Sequence, residues 1–362
     1  MSRRREGLGR VAIQQRVLPA YRTPFFDALA ARCPGGLHIF AGSPRPDEAI
    51  NAADRLRRAK WSRADNVHIL GGPAYLCRQP TLLAWLEETD PDALILEANW
   101  RYLSNRKAVS WMKERSRPVL GWGLGAPPGM AALLRSRMLR HFDAVIAYST
   151  RGAVEYAQAG VPVDRIFVAP NAVERPPTRP PKHAPAVKRP ARIIFVGRLQ
   201  ARKRVDDLLH ACAAAIQSPE LWIVGDGPDR DRLTSIAGKV FPQAVFTGAL
   251  HGTELRFRLD QADLFVLPGT GGLALQQAMA RGLPVIAARG DGSQEDMVTP
   301  RNGWLVPPGK PDALTTILQE ALADPLRLHR MGVASHQLAR HRFNPDVMVE
   351  VFVRALRDVR SR

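Results

Sequence analysis

The stretch LFVLPGTGGLALQQAMARGLPVIA, residues 264–287, carries a clear signal of secondary-structure order. A short apolar run ends at Pro268, and three glycines follow within the next four residues. A helical pattern without any acidic residue then carries Gln276 and Gln277, and a second apolar run begins at Pro284. Strand, glycine-rich turn, helix and strand in this order predict a βαβ unit of a parallel sheet.

Alternating strand-type and helix-type runs extend through almost the whole chain. In the first half the strand-type runs are VAIQQRV (11–17), LHIFAG (37–42), VHIL (67–70), DALILEA (92–98), PVLGWGLG (118–125), AVIAYS (144–149) and IFVAP (166–170). After an interruption the alternation begins again with ARIIFVG and continues to GWLVPP. This repetition predicts an α/β protein with two doubly wound parallel sheets.

The interruption divides the chain into two halves. Residues 174–190 contain six prolines in seventeen positions and no apolar periodicity, which is typical of a semi-rigid linker. We therefore predict two Rossmann-like domains, residues 1–173 and 191–343, that face a central cleft and grip one ligand from both sides. The last helix, residues 344–362, lies beyond the second sheet and is expected to pack back on the first domain.

Composition and charge restrict the class of protein. The 362 residues are 45% hydrophobic and 24% charged, which is ordinary for a globular protein of two domains. The net charge is +18, and such a surplus favours anionic partners, namely phosphorylated substrates, anionic lipid or nucleic acid. The basic residues are spread along the chain, and no helix-turn-helix, zinc-finger or RNA-binding pattern is present. We expect no nucleic-acid partner.

The cysteines and the N-terminal sequence indicate a reducing compartment. Cys33, Cys77 and Cys212 are odd in number and lack metal-site spacing, so we expect neither disulfides nor a metal ion. The N-terminal segment has the charges of a signal peptide without its apolar core. No window approaches the roughly 18 to 20 apolar residues that span a bilayer. These features predict a cytoplasmic protein.

Two elements at strand ends predict an anion site. The glycines of residues 269–272 open a helix, where backbone amides and the helix dipole attract an anion and a phosphate can approach the main chain. The segment FVGRLQARKRVDDLL ends a strand at Gly197 and continues with Arg198 and Lys203, a guanidinium and an ammonium that together can neutralise a diphosphate. A tight structural turn and a solvated basic loop are the alternatives.

The order and spacing of these motifs resemble the retaining glycosyltransferases of family four, the glycosyl transferases group 1, which have the GT-B fold. The resemblance covers nearly the whole chain, in YRTPFFDAL, VAPNAV, FVGRLQARKRVDDLL, VGDGP, VFTGAL, ADLFVLPG, GLALQQAMARGLPVIA and NGWLVPP, with the turn in a glycine-rich PGTGGLA form. It implies that Arg198 and Lys203 are the catalytic groups that hold the donor diphosphate. It implies a donor site with Gly197, Gly248, Leu250, Gly271, Gly272, Leu273 and Gln277.

Three positions depart from the family pattern. The family has two glutamates eight residues apart, where this chain has Gly269 and Gln277, and many relatives carry a histidine where it has Leu124. Gln277 can still accept a bond from one ribose hydroxyl, but charge-assisted bonds are about twice as strong. We expect nucleotide binding to be weaker by roughly 1 to 2 kcal/mol. A catalytically degenerate GT-B scaffold, which binds a nucleotide, a glycan or a partner enzyme, is therefore the alternative to an active enzyme.

The resemblance also implies the type of reaction. A sugar passes with retention of configuration from a UDP- or GDP-linked donor, which is a substrate and not a cofactor, and neither a protein nucleophile nor a metal ion is required. The acceptor is expected to bind the first domain at two loops that follow strands. The candidate residues are Tyr21, Arg22, Asn99 and Arg101.

The segment GMAALLRSRMLRHFD, residues 129–143, places Arg135, Arg137 and Arg140 among apolar side chains, as a basic helix at a membrane surface does. A core helix with a solvated arginine face fits the pattern equally well. The membrane interpretation predicts a lipid-linked saccharide acceptor and a peripheral protein at the inner face of the membrane, in synthesis of envelope polysaccharide or glycolipid. The other interpretation leaves a saccharide acceptor.

Overall fold

The chain divides into two compact units, Met1–Pro170 with Pro345–Arg362, and Asn171–Asn344. The structure is a computed structural model that describes residues 8–362 except 46, 47, 49, 73, 74, 182, 184 and 188. Both units are built on parallel sheets with helices between the strands, so the predicted α/β class is confirmed.

The first unit contains a parallel sheet of seven strands in the order β3-β2-β1-β6-β7-β8-β9. The nine strands of the unit, β1 to β9, are Val11–Val17, Leu37–Gly42, Lys60–Ala64, Val67–Ile69, Leu76–Arg78, Ala93–Glu97, Val119–Gly123, Ala144–Ala147 and Ile166–Val168. Of these, β4 and β5 lie outside the seven-stranded sheet. Its helices α1 to α5 are Thr23–Ala30, Leu82–Thr89, Asn105–Lys113, Ala132–Leu139 and Thr150–Gln158. The inner strands are buried on both faces, which explains their nearly continuous apolar sequences.

The second unit contains a parallel sheet of six strands in the order β12-β11-β10-β13-β14-β15. Strands β10 to β15 are Arg192–Val196, Glu220–Val224, Val245–Gly248, Leu264–Leu267, Val285–Ala288 and Gly303–Val306. Helices α6 to α12 are Val205–Ala213, Arg230–Val240, Gly252–Gln261, Leu273–Ala280, Ser293–Met297, Pro311–Ala323 and Pro325–His341. This is the Rossmann order 3-2-1-4-5-6, in which the strand order reverses between β10 and β13.

The last helix, α13 (Pro345–Ser361), belongs to the first unit. The ring of Phe352 packs edge-on against Phe25 of α1, with 4.9 Å between ring centroids. Met348 and Leu356 are fully buried in the same core. The apolar face of α13 therefore completes the hydrophobic core of the first unit.

Described residues of the proline-rich segment 174–190, which was predicted as a linker, form hydrogen bonds with the rest of the second unit. Proline lacks an amide hydrogen but keeps its carbonyl, which can accept hydrogen bonds from basic side chains. A ring nitrogen of His336 lies 2.9 Å from the carbonyl oxygen of Pro177, and Arg340 donates to that of Thr178 at 2.6 Å. Arg189 also forms a bidentate ion pair with Asp263, in which its two terminal guanidinium nitrogens lie 2.7 and 2.9 Å from the carboxylate oxygens.

One predicted strand does not join the large sheet. The run VHIL contributes β4, which pairs with β5 as a small antiparallel hairpin, and the third strand of the main sheet is instead Lys60–Ala64. The sequence KWSRA of that strand is only partly apolar, because it lies at the edge of the sheet and is mostly exposed or half-buried. Edge strands do not need the apolar run that the prediction used.

Candidate functional site

In the second unit, the predicted donor residues follow the strands at which the order reverses. Residues 197–204 follow β10, and residues 268–272 follow β13. In open parallel sheets, ligands bind outside the carboxyl ends of the strands at such a switch point. The fold therefore brings the basic loop and the glycine-rich turn to the same edge of one sheet.

At the carboxyl ends of β10, β11 and β12, three glycines bring the backbones close together. The amide of Gly225 donates to the carbonyl of Gly248 at 2.8 Å, and Gly225 has a φ of +143°. A Cβ added to Gly225 would lie 1.9 Å from the carbonyl oxygen of Gly197. Only glycine fits at position 225. The backbone of Gly225 therefore lies against the predicted donor residues Gly197 and Gly248.

Lys203 joins the basic loop to the glycine-rich turn. It ends a short 3-10 turn, Ala201–Lys203, and its side chain is 8% exposed. Its Nζ donates to the carbonyl oxygen of Thr270 at 2.5 Å, and a Cβ added to Gly271 would lie 2.3 Å from the same Nζ. The structure thus places two of the predicted donor residues, Lys203 and Gly271, in direct contact.

Burial lowers the pKa of Lys203 to about 8. The neighbouring positive charge of Arg202 is a smaller cause of this lowering, whereas the carboxylate of Asp291 acts in the opposite direction. Desolvation disfavours the charged form of an amine, and an anion bound beside it would restore that form. The partly desolvated side chain of Lys203 is therefore suited to binding a phosphate.

Gly269 leaves no room for the glutamate of the family pattern. A Cβ at this position would lie 2.2 Å from the carbonyl oxygen of Arg202 and 2.7 Å from the Cα of Lys203. The amide of Thr270 donates to the same Arg202 carbonyl at 3.2 Å, and the Thr270 hydroxyl accepts from the Arg202 side chain at 2.9 Å. The glycine therefore allows the two loops to pack backbone to backbone.

The start of helix α10, which follows β14, also contacts the glycine-rich turn. Gln294 is fully buried, and its amide group donates to the carbonyl of Gly271 at 2.9 Å. A Cβ added to Gly272 would lie 2.5 Å from the hydroxyl of Ser293. Sequence reasoning noted the segment DGSQED only as a polar turn and did not assign these residues. Its place after β14, at the same edge of the sheet, was the signal that pointed to them.

The helix α9 begins directly after this turn, with Gly272 as its N-cap residue. The first amides of a helix have no partner within it, and the N-terminus carries a partial positive charge. Half-buried Arg198 follows Gly197 at the neighbouring strand end. The arrangement of two basic side chains, a glycine-rich turn and a helix N-terminus is suited to holding a diphosphate.

The two glutamines of α9 have different environments. Gln276 is fully buried, where its oxygen accepts from the amides of Val173 and Glu174 at 3.1 and 2.9 Å. Its nitrogen donates to the carbonyls of Glu174 and Phe343 at 2.8 and 2.9 Å. Gln277 is half-buried, and its side chain forms no hydrogen bond with any described residue. Gln276 is therefore structural, whereas Gln277 stays a candidate for ligand binding.

Two other predicted donor residues, Leu250 and Leu273, are half-buried. Leu250, two residues beyond the end of β12, is half-buried and packs on the core of the second unit. Leu273 is the first residue of α9 and is also half-buried. Both lie on loops or helix ends at the edge of the sheet that carries the glycines.

In the first unit, the strand order reverses between β1 and β6. The predicted acceptor residues Tyr21 and Arg22 follow β1 in the 3-10 turn Ala20–Arg22, and Asn99 and Arg101 follow β6. Tyr21 is 45% exposed, whereas Arg22 is 4% exposed. These four residues therefore occupy the position where open parallel sheets bind ligands.

Asn99 and Arg101 have local contacts. The side-chain oxygen of Asn99 accepts from the amide of Arg101 at 3.1 Å, which closes the turn after β6. The guanidinium of Arg101 lies 5.3 Å from the ring centroid of Trp100 and 5.4 Å from that of Tyr75. Cation–π contacts of this kind orient the side chain without neutralising its charge.

Sequence reasoning missed Glu97, the last residue of β6. Burial raises the pKa of its carboxyl group, whereas the hydroxyl of Tyr102 and the positive charge of Arg16 act in the opposite direction. The same environment raises the pKa of Tyr102, because burial and the Glu97 carboxylate both disfavour the phenolate. A carboxyl residue that ends the otherwise apolar run ALILE was the available signal.

The described residues contain neither a metal-ion cluster nor a helix that could span a membrane. In this part of the chain, no group of three or more His, Cys, Asp and Glu side chains is arranged to hold a metal ion. No helix among the described residues combines the length and the apolar composition needed to cross a membrane.

Most of the second unit is similar to a known protein family. Residues 190–324 match the family model described as glycosyl transferases group 1. A GDP-mannose-dependent alpha-mannosyltransferase of Mycobacterium tuberculosis is 43% identical over 135 residues, which cover 35% of this chain and 34% of that protein. The chain thus aligns with about a third of the length of that relative.

Two further similarities extend over most of the chain. A GDP-mannose-dependent alpha-(1-6)-phosphatidylinositol monomannoside mannosyltransferase of Mycobacterium tuberculosis is 26% identical over 353 residues, covering 88% of this chain and 89% of that protein. The crystal structure of Anabaena Alr3699/HepE in complex with UDP superposes with a TM-score of 0.72, at 16% identity, covering 96% of this chain and 99% of that one. Residues 190–324 therefore match the glycosyl transferases group 1 family, and the chain has the GT-B fold.

Proposed function

We propose that this protein is a retaining glycosyltransferase that moves a sugar from a nucleotide-sugar donor to a saccharide or lipid-linked acceptor. The observation that carries the proposal is the contact of Lys203 with the turn at Thr270 and Gly271, at the N-terminus of α9 and at the switch point of the sheet. Positive charge, a helix N-terminus and its dipole converge there, as a departing diphosphate requires.

The proposed chemistry is displacement without a protein nucleophile. The acceptor hydroxyl attacks the anomeric carbon on the face from which the diphosphate leaves, and the bond from that carbon to the phosphate oxygen breaks. The hydroxyl proton passes to an oxygen of the departing phosphate. Arg198 and Lys203 stabilise the negative charge that develops on this leaving group. The reaction is proposed to need no metal ion, because these residues supply the positive charge.

GDP-mannose is the first donor to test. Both relatives reported above are named as GDP-mannose-dependent mannosyltransferases, and one of them aligns over 88% of this chain. A structural relative was solved with UDP, so UDP-sugars are the second class of donor. We propose that Gln277, Gly248 and Leu250 contribute to the nucleotide side of the site, as the family resemblance implies.

We propose that the acceptor binds the first unit, at the loops that carry Tyr21, Arg22, Asn99 and Arg101. The name of the longer aligned relative includes a phosphatidylinositol monomannoside acceptor, which supports a saccharide or a lipid-linked saccharide here. Synthesis of envelope polysaccharide or glycolipid is the role that fits such an acceptor.

A surface of the first unit supports a peripheral position on an anionic membrane. Met130, Leu133 and Leu134, at and before the start of α4, are 106%, 85% and 53% exposed. Only Leu139 of α4 is buried, so a core helix with a solvated face does not describe this segment. Arg137 and Arg140 are exposed beside these apolar residues, and residues 124–140 contain no acidic side chain. Exposed apolar groups with cations are typical of helices that lie in a membrane interface.

Calorimetric titration tests the donor proposal. GDP, GDP-mannose, UDP and UDP-glucose are titrated into the wild-type protein, Arg198→Ala and the control Lys239→Ala, in which an exposed lysine of α7 is removed. We expect one nucleotide family to bind the wild type and the control, and the affinity to fall at least tenfold in Arg198→Ala. Absence of binding at millimolar nucleotide would contradict the donor proposal and favour a degenerate scaffold that binds a glycan or a partner enzyme.

A further inference from the structure

Gln294 fixes the orientation of the peptide bond between Gly271 and Gly272. Its side-chain oxygen accepts from the backbone amide of Asp291 at 3.2 Å, and its side-chain nitrogen donates to the carbonyl of Gly271 at 2.9 Å. A backbone N–H can only donate and a carbonyl can only accept, so these two partners allow one orientation of the Gln294 amide group. Gln294 is fully buried, and the Gly271 carbonyl is therefore held toward a buried donor.

The other side of this peptide carries the backbone amide of Gly272. The peptide is trans, so its N–H points away from its C=O, in the direction opposite to Gln294. Gly272 is the N-cap residue of α9, and within the described chain its amide donates no hydrogen bond. Gly271 and Gly272 are both half-buried, so the turn is partly accessible to solvent. The Gly272 amide is therefore a donor available to a ligand.

The ammonium group of Lys203 lies beside the same peptide. A Cβ added to Gly271 would collide with Nζ of Lys203, and one added to Gly272 would lie 2.5 Å from the hydroxyl of Ser293. The two glycines thus allow a cation and a hydroxyl group to approach the peptide closely. An anion that accepts from the Gly272 amide would lie near the positive charge of Lys203.

The two glycines also make this peptide easy to turn over. A flip changes the ψ of Gly271 and the φ of Gly272, and glycine adopts positive and negative φ values about equally readily. Gly271 already has a φ of +138°. In the flipped peptide the carbonyl oxygen of Gly271, which carries a partial negative charge, would replace the amide and repel an anion. The hydrogen bond from Gln294 therefore selects the orientation that attracts an anion.

We propose that Gln294 is a positioning residue, which holds the Gly272 amide toward the diphosphate of the donor. The inference rests on the proposed function for the identification of this anion as the donor diphosphate. It goes beyond that function by assigning a role to Gln294, and by naming the Gly272 amide as the backbone group that the anion meets. Gln294 acts through the peptide and not by contact with the ligand.

Amide NMR of protein labelled with ¹⁵N-glycine tests this inference. The probe is inorganic pyrophosphate, a diphosphate without a nucleotide, and the Gly272 amide signal reports on its hydrogen bond. Gln294→Glu keeps the size of the side chain but replaces the donor by a carboxylate, which would accept from the Gly272 amide in the flipped peptide. Gln294→Met removes the donor without adding a charge, so repulsion of the probe cannot explain a loss of affinity in this variant.

Asn302→Asp is the matched control. Asn302 is also fully buried, and its side-chain nitrogen donates to the carbonyl of Met297 at 3.2 Å, at the opposite end of α10 from Gln294. The control therefore makes the same exchange of a buried amide for a carboxylate, away from the glycine-rich turn. Thermal melting shows which variants fold, and Gln294→Met decides the test if Gln294→Glu does not.

In the wild type and the control, we expect pyrophosphate to bind and to move the Gly272 amide proton downfield. Gln294→Glu should bind pyrophosphate at least about tenfold more weakly, as the loss of a hydrogen bond to a charged group predicts, and its Gly272 signal should not respond. Gln294→Met should bind at least about twofold more weakly, because equal populations of the two peptide orientations leave half of the molecules competent.

Three results would overturn the inference. The first is a wild-type Gly272 amide that does not respond to pyrophosphate, and the second is a folded Gln294→Met protein that binds pyrophosphate as well as the wild type. The third is a loss of affinity in Asn302→Asp as large as in Gln294→Glu, because the loss would then reflect general damage to the second unit. Failure of the proposed function has a separate sign, which is absence of nucleotide binding to the wild type in the calorimetric titration.

Discussion

The ammonium group of Lys203 donates a hydrogen bond of 2.5 Å to the carbonyl oxygen of Thr270, and so joins the loop after β10 to the turn after β13. The contact fixes a cation against the backbone of Gly271, just before the first amides of α9. The two loops are 67 residues apart in sequence, and the strand order of the sheet brings them together. A ligand that carries a diphosphate would meet a charge that is already positioned, which is the condition for effective stabilisation of a leaving group.

Removal of this ammonium should therefore impair transfer more than folding. Lys203→Ala is expected to lower turnover on the order of 10²-fold, comparable to the loss of one preorganised donor in other enzymes. Initial rates at saturating donor, with a thermal melt for each protein, measure both effects. Lys239→Ala, which removes an exposed lysine of the same unit, should keep the wild-type rate. Near-normal turnover in folded Lys203→Ala would contradict the proposed role.

Donor binding should weaken as the pH rises through about 8, the pKa of Lys203 in the free protein. Burial lowers this pKa from the ordinary lysine value, so the ammonium is charged below pH 8 and neutral above it. If the diphosphate needs the charged form, affinity falls by up to about tenfold per pH unit above 8. Calorimetry between pH 6 and 9 measures the slope. Lys203→Ala should lose this pH dependence, and an equal slope in both proteins would refute the assignment.

Restoring the glutamate of the family at position 269 should damage the protein. A Cβ there meets the Arg202 carbonyl at 2.2 Å, so Gly269→Glu forces the two loops apart and is expected to cost about 1 to 3 kcal/mol of folding free energy. Donor affinity should fall as well. Gly238→Ala is the matched control, because Gly238 lies in helix α7 with open space around its Cα.

Denaturant unfolding compares the two glycine variants. Gly238→Ala should gain about 0.5 to 1 kcal/mol, since alanine loses less conformational entropy than glycine in a helix. A Gly269→Glu protein could instead be as stable as the wild type and bind the donor more tightly. This result would show that Gly269 marks the loss of a functional glutamate and is not required for packing.

The sequence predicted the elements of the fold better than the contacts between them. Apolar runs with helical spacers are local signals, and they placed every strand of the two sheets except β3, together with the glycine-rich turn and the basic loop at strand ends. The contact of Lys203 with Gly271 depends on strand order, which local periodicity does not report. The edge strand Lys60–Ala64 was missed because its sequence has no apolar run. The bonds to the carbonyl groups of Pro177 and Thr178 could not be predicted either, because every residue type has such a group.

The adjacent glutamines illustrate the same limit. In the sequence Gln276 and Gln277 are equivalent, but successive residues of a helix point about 100° apart. One side chain therefore enters the core and binds the backbone of Glu174 and Phe343, while the other stays half-buried. Burial of each side chain decides its role, and burial is a property of the folded unit.

These two glutamines provide a matched pair of substitutions. Gln277→Glu should tighten nucleotide binding by roughly 1 to 2 kcal/mol, because a carboxylate can accept charge-assisted bonds from ribose hydroxyls. Gln276→Glu should instead cost more than about 3 kcal/mol of stability, because its carboxylate would face two carbonyl oxygens in a buried position. Calorimetry and chemical unfolding measure the two effects. Unchanged affinity in Gln277→Glu would remove this residue from the nucleotide site.

The exposed apolar residues of the α4 segment lead to a prediction about membranes. Leu133 and Leu134 are 85% and 53% exposed beside a basic face, so an anionic bilayer can take up the apolar groups and attract the arginines at the same time. The wild type should float with vesicles that contain phosphatidylglycerol, and much less with neutral phosphatidylcholine vesicles. The double variant Leu133→Glu, Leu134→Glu should stay in the soluble fraction. Ile216→Glu, which changes an apolar residue of the second unit that is 90% exposed, should float like the wild type. Equal flotation of wild type and double variant, or no preference for the anionic vesicles, would show that the α4 segment is not a membrane-binding surface.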